Sequence, residues 1–210
     1  MIGSEDTTSV PSTRVTDAST RSFVSPRDQV HWYPMYVSYR RELTVKQALD
    51  DRHVQNFLPM QERFERQGRK IVKLQEPAIH NLIFVYASQN TITDLKMFCR
   101  DCAPMQYMTV RARTADQAST VITVSRQKME QFMAAMRIDD DQNRRTLLPY
   151  DETLYGHEGR AIRFVRGPFA GIEGTIKRIR KNRSLIITLQ HVGVLCITID
   201  HAADIEFLDE

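Results

Sequence analysis

Residues 163–174, RFVRGPFAGIEG, set three glycines (Gly167, Gly171, Gly174) into a run whose flanks alternate apolar and polar side chains. Such a run must turn sharply, approach another backbone and continue as a second strand. Gly167-Pro168 reads as the turn entry, and Ile176 and Ile179 with Arg178 and Arg180 give an incomplete period-two pattern after it. Further short alternating runs lie at 160–165, 185–190 and 195–200, with turns at Lys181-Asn182-Arg183 and around Gly193. Several short strands in under about 60 residues predict a small, tightly bent barrel rather than an open sheet.

The remainder of the chain mixes helices and strands, so the predicted class is α+β. Residues 1–28 are rich in Ser and Thr and nearly free of large apolar side chains; they are expected to be a disordered tail, because burial there cannot offset ordering entropy. Residues 31–39 (HWYPMYVSY) predict a strand with Trp32, Pro34, Tyr36 and Ser38 on one face and Tyr33, Met35, Val37 and Tyr39 on the other. Pro34 lacks an N–H and implies an edge or a bulge. Thr44 is the expected N-cap of a helix through Val45, Ala48, Leu49, Arg52 and His53. Residues 56–60 start a strand, 61–73 read as a charged hairpin or loop, and 79–86 as a central strand. A helix over 91–102, strands at 106–113 and 120–125, and a helix opened by Ser125 with Met129, Phe132, Met133 and Met136 on one face complete this part. Residues 139–155 have the charged, Pro-containing composition of a linker. The predicted units are therefore 1–28, 29–138, 139–155 and 156–210.

With 210 residues and 41% hydrophobic side chains, two cores can form without disulfides or metals. The longest apolar run, residues 82–87, is far short of the ~20 needed to cross a bilayer, and no basic leader precedes an apolar core; the expectation is a soluble cytoplasmic protein that does not engage membranes. Three cysteines do not look like a secreted disulfide framework. Cys99-x-x-Cys102 lacks the strand-then-helix context of a redox motif and the second Cys/His pair of a zinc site. Two thiols on one helix face are the simpler reading, so no metal, cofactor or catalytic residue is assigned. The net charge of +3 does not announce a nucleic-acid binder, which leaves two local clusters. Lys177, Arg178, Arg180, Lys181 and Arg183 crowd one hairpin, and Arg63, Arg66, Arg69, Lys70 and Lys73 are diluted by Glu62 and Glu65. Each is either a solvated, aggregation-resistant edge or a phosphate contact, and neither shows the interleaved aromatics of a stacking platform.

The segment Phe164-Val165-x-Gly167-Pro168-Phe169-Ala170-Gly171-x-x-Gly174-x-Ile176 resembles the KOW motif of NusG-type transcription elongation factors. The order Trp32-Tyr33, Leu82-Ile83-Phe84-Val85, a helix opened by Ser125, a polar linker and then the KOW segment resembles that family from about residue 30 to 207. The resemblance implies an N-terminal α/β sandwich with an antiparallel sheet, tethered to an SH3-like KOW barrel. The long N-terminal tail looks more like the specialised paralogues of the RfaH and UpxY type, which serve capsule operons, than the general factor.

What the resemblance implies about function is a non-enzymatic elongation or antitermination factor, acting as a monomer. Its N-terminal domain would bind the RNA polymerase clamp helices and suppress pausing or termination. Tyr36, Leu82 and Phe84 match the polymerase-binding patch; their alternative reading is as core residues. The exposed non-template DNA strand or nascent RNA is a further implied partner. Phe169, His191 and Val192 match positions that contact a small-subunit ribosomal protein in some relatives. Two other readings stay open: a ribosome- or RNA-associated KOW protein that never touches polymerase, and a redox enzyme using Cys99 and Cys102, which a strongly lowered thiolate pKa would support.

Overall fold

The computed structural model describes residues 25, 27–110, 119–138, 144–151, 159–179 and 181–208; the expected tail and the strand residues beyond 110 lie largely outside them. A four-stranded antiparallel sheet organises the first half. Its order is β2 (Asn56–Phe57), β5 (Leu82–Ser88), β1 (Val30–Val37), β6 (Met105–Tyr107). The β1–β5 register pairs Tyr36 with Leu82, Pro34 with Phe84 and Trp32 with Tyr86, so period-two alternation sorts the side chains onto two faces. Tyr33, Met35, Val37, Ile83, Val85 and Ala87 bury one face against α1 (Glu42–Asp50) and α2 (Gln89–Phe98). Pro34 falls between the β6 pairing, which covers Met35 to Val37, and a bridge from Trp32 to Val124, so its missing N–H interrupts no ladder bond on that side.

Helix starts depart from the sequence expectation in two places. α1 begins at Glu42, with no side-chain cap from Arg41, instead of being capped by Thr44. The reason is nonlocal: the buried Glu42 carboxylate accepts a hydrogen bond from the Asn81 N–H, while Asn81 Oδ1 accepts from the Arg40 N–H at 3.1 Å. Asn81 is left-handed (φ 62), a conformation Asn tolerates better than most residues. α2 starts at Gln89, capped by Ser88 Oγ accepting from the Thr91 N–H at 3.1 Å. It ends at Phe98, so Cys99 and Cys102 lie in the turn after the helix, and Met97 and Phe98 face solvent.

α3 (Arg126–Arg137) opens as expected, with Ser125 Oγ accepting from the Lys128 N–H at 3.4 Å. The charged stretch after β2 is a two-stranded hairpin, β3 (Met60–Gln67) and β4 (Lys70–Pro77), turning through Gly68 at φ 65. A short pair, β7 (Thr109–Val110) and β8 (Thr120–Val121), precedes α3.

The second half is an antiparallel six-stranded sheet with the order β14 (Ile205–Phe207), β10 (Ala161–Phe164), β11 (Glu173–Ile179), β12 (Asn182–Leu189), β13 (Gly193–Thr198), β9 (Arg145–Pro149). A closed barrel is not seen among the described residues, since β14 and β9 are the ends of the order. Arg145–Pro149, inside the stretch expected to be linker, instead pairs along β13 from Gly193 to Ile197. The glycine run behaves as its pattern requires. Gly167 and Gly171 have φ of 80 and 87, and a Cβ on Gly174 would collide with the Ile186 carbonyl oxygen and the Leu185 side chain. Gly174→Ala should therefore lower stability by about 3 kcal/mol through forced displacement of a central strand, measured as a drop in chemical-denaturation midpoint; an unchanged midpoint would contradict this close approach.

Candidate functional site

The second face of the N-terminal sheet carries the residues expected to dock a partner, and the structure covers most of it. Trp32, Leu82 and Phe84 share one apolar cluster with Met129, Phe132 and Ala135 of α3 and with Ile162, Phe164, Phe169, Leu185, Leu195 and Ile197 of the C-terminal sheet. Phe132 is the pivot. Its ring centroid lies 5.7 Å from Phe84 and 5.9 Å from Phe57, contacts that stabilise by roughly 0.5–1.5 kcal/mol each beyond area burial. α3 packs against both β1 and β12. Polar bonds fasten the same junction: Arg145 Nη1 donates to the Ala135 and Met136 carbonyls at 2.8 and 2.7 Å, and the Glu173 N–H donates to Gln131 Oε1 at 3.0 Å. Arg145 thereby caps carbonyls left without helical partners at the end of α3.

Of the three expected patch residues, only Tyr36 is open, at 44% exposure; Leu82 is 4% and Phe84 0% exposed. They do share a face, as their spacing requires, and in this arrangement that face is core. Phe169, expected to meet a ribosomal protein, is 0% exposed, packed against Phe164 and beneath the Arg144 guanidinium. His191 is exposed, left-handed (φ 63) and set against Tyr150, while Val192 packs on the shared cluster. The structure thus separates His191 from Phe169 by burial.

The basic clusters sit on different surfaces. On the β3–β4 hairpin, Lys73 pairs with Glu62 at 2.5 Å and Arg63 with Glu76 at 3.5 Å, so much of its charge is internally matched. Phe64 stands directly opposite Lys73 with Arg66 on the same face, and is 63% exposed. Alternation turns this one ring outward, because no second layer covers the two-stranded ribbon among the described residues. Arg69 and Lys70 lie at its tip. In the C-terminal sheet Lys177, Arg178, Lys181 and Arg183 line an open groove of about 710 Å³; Arg180 lies outside the described residues.

Cys99 and Cys102 are both buried free thiols. Burial pushes Cys99 up, but hydrogen bonds from the Cys102 side chain and from the backbone of Cys102 and Asp101 outweigh it, holding the thiol below its ordinary value. Burial and the Cys99 partner push Cys102 up to about 12, and burial pushes Cys196 up to about 11. The pair follows a helix C-terminus, where the dipole disfavours a thiolate, and among the described residues no group of three His, Cys, Asp or Glu could hold a metal. No helix among them is long and apolar enough to cross a membrane.

The residues that sequence reasoning missed are Phe57, Gln131 and Arg145. Phe57 and Gln131 carry no local signal, whereas a cation just beyond a predicted helix end is the signal that could have found Arg145.

Near pH 7.5, a small maleimide should modify Cys99 in the folded chain faster than Cys102 or Cys196, as read by peptide mass spectrometry. Modification of Cys102 first would contradict the hydrogen-bond order.

No curated protein matches the chain. Residues 30–133 match the family described as NusG, transcription termination factor nusG. This span runs from the start of β1 to within α3 and contains both faces of the N-terminal sheet. The match covers just under half of the chain and makes its N-terminal half similar to that transcription-factor family.

Proposed function

We propose that the protein is an elongation or antitermination factor of the specialised RfaH and UpxY type, serving operons such as those for capsular polysaccharide. Its N-terminal domain binds the clamp helices of RNA polymerase through Tyr36, Leu82 and Phe84 and suppresses pausing or termination. One observation supports this most: the NusG-type match covers the domain whose second sheet face aligns these three side chains. Holding the clamp in one state changes the balance between paused and active complexes, so the mechanism is a shift of populations with no bond made or broken.

Burial adds a condition. Leu82 and Phe84 can meet a partner only when α3 and the C-terminal sheet part from that face, whereas Tyr36 is available at its rim. The C-terminal unit, read as a KOW domain from its glycine pattern, then acts as a cover as well as a tether. His191, with Val192 beside it, is the part of the expected ribosomal contact that faces outward, while Phe169 is held inside the C-terminal unit by Phe164 and Arg144. The β3–β4 hairpin, with Phe64, Arg66, Arg69 and Lys70 outward, suits contact with the non-template strand exposed beside polymerase.

Tyr36 is the safe position to test because it is not core. Tyr36→Ala should weaken capture of purified core RNA polymerase about tenfold, near 1.4 kcal/mol, with an unchanged thermal midpoint. Equal capture by wild type and variant would remove the patch, and no capture by wild type would favour the polymerase-independent, RNA-associated reading.

A further inference from the structure

Among the described residues β3 bonds to β4 alone, and its residues from Gln61 to Gln67 are exposed. Its other edge is therefore open. The Ala78 N–H donates to the Pro59 carbonyl at 2.8 Å at the base of the ribbon. Antiparallel alternation then turns the N–H and C=O groups of Gln61, Arg63, Glu65 and Gln67 toward β4, and those of Glu62, Phe64 and Arg66 outward.

This open edge is complementary to its own reverse. β3 reads Met60-Gln61-Glu62-Arg63-Phe64-Glu65-Arg66-Gln67. Laid antiparallel on a second copy with Phe64 at the two-fold axis, it sets Glu62 opposite Arg66, Arg63 opposite Glu65 and Gln61 opposite Gln67, and each pair recurs across the axis. Opposite charges directly across an antiparallel pair stabilise it, and so does an aromatic pair. Glu62 also holds Lys73 of its own ribbon, and a carboxylate with two oxygens accommodates both cations. The backbone agrees with the side chains, because Glu62, Phe64 and Arg66 are the residues whose outward groups exchange bonds in this register. Sliding by two residues keeps the backbone in phase but sets Arg63 against Arg63 or Glu65 against Glu65.

Edge protection does not account for the pattern. A guarded edge is blunted by lysines, proline or a bulge that turn a second strand away. Here each charge finds its opposite on a second copy, and the centre of the edge is Phe64, 63% exposed, with the exposed Ile71 diagonally beside it on the same face.

We infer that two copies of this chain pair edge to edge through β3, joining two ribbons into one four-stranded antiparallel sheet with closed two-fold symmetry. A two-stranded ribbon is marginal by itself and gains stability from further strands. The antiparallel sense sends the two N-terminal sheets to opposite ends of the joined ribbon. One strand edge is a small interface, so the dimer is weak and depends on concentration. The inference goes beyond the polymerase reading and does not rest on it, and it departs from the monomer that the family resemblance implies. A nucleic-acid strand lying on the same ribbon would compete with the second copy for Phe64.

The test is sedimentation velocity of the full chain, without polymerase or nucleic acid, from about 5 to about 500 μM, since an interface this small is weak. Wild type should pass from monomer to dimer across that range. Glu65→Arg sets arginine opposite arginine on both sides of the axis, and Arg63→Glu sets glutamate opposite glutamate; each variant alone should pair at least about tenfold more weakly. Both positions are exposed, so thermal midpoints should stay close to that of wild type. Mixed in equal amounts, the two variants should pair about as well as wild type, because the arginines of one copy then face the glutamates of the other. A wild type that remains monomeric to about 500 μM, a dimer unchanged by Glu65→Arg, or a mixture no better paired than its components would overturn the inference.

Discussion

The packing of α3 between two sheets is the interaction on which the rest depends. Phe132 fills the space beside Phe84 and Phe57 on the N-terminal sheet, and the same helix lies against β12 of the C-terminal one. A helix with one apolar stripe ordinarily has one partner; here Met129, Phe132 and Ala135 are fully buried, with Met133 and Met136 packed against the cluster at their margins. Methionine suits that position because its unbranched, polarisable chain adapts to irregular surfaces and to exchange of partners. The polar ties at the junction, from Arg145 and Gln131, are few. A contact made of one helix face and a few hydrogen bonds can hold a resting arrangement and still be displaced by a partner with a better-matched surface.

The two basic hairpins follow from opposite local logic. On the β3–β4 ribbon, charges of opposite sign pair diagonally across the strands, Glu62 with Lys73 and Glu76 with Arg63. On the β11–β12 hairpin, cation faces cation, and Asp200 already belongs to Arg144.

Much of this was legible in the sequence because it is local. Ser125 with Met129, Phe132 and Met133 gives α3 its start and its buried side, and alternation sorts β1 into the two faces observed. The left-handed glycines 167 and 171 and the crowded Gly174 follow from the spacing of the glycine run. What was not legible depends on distant partners. Glu42 starts α1 because Asn81 supplies a hydrogen bond from 39 residues away. Arg145–Pro149 reads as linker by composition and is a strand because β13 offers it an edge. Leu82 and Phe84 were rightly placed together on one face, yet nothing in their neighbourhood says what lies over it. The exposure of Phe64 follows from the two-stranded ribbon having no layer above it among the described residues, which no local pattern encodes.

In the proposed function, the face holding Leu82 and Phe84 meets two partners in turn, the α3 and C-terminal cover in the resting chain and RNA polymerase in the working one. Joining Ile79→Cys, just before β5, to Gly193→Cys on β13 with a short reducible crosslinker, where a Cβ on Gly193 would lie 3.8 Å from Ile79 Cδ1, ties the C-terminal sheet to the N-terminal one, and capture of RNA polymerase is then measured before and after reduction. The locked chain should be folded but fail to capture polymerase, and reduction should restore capture. Equal capture by the locked and reduced chains would contradict it.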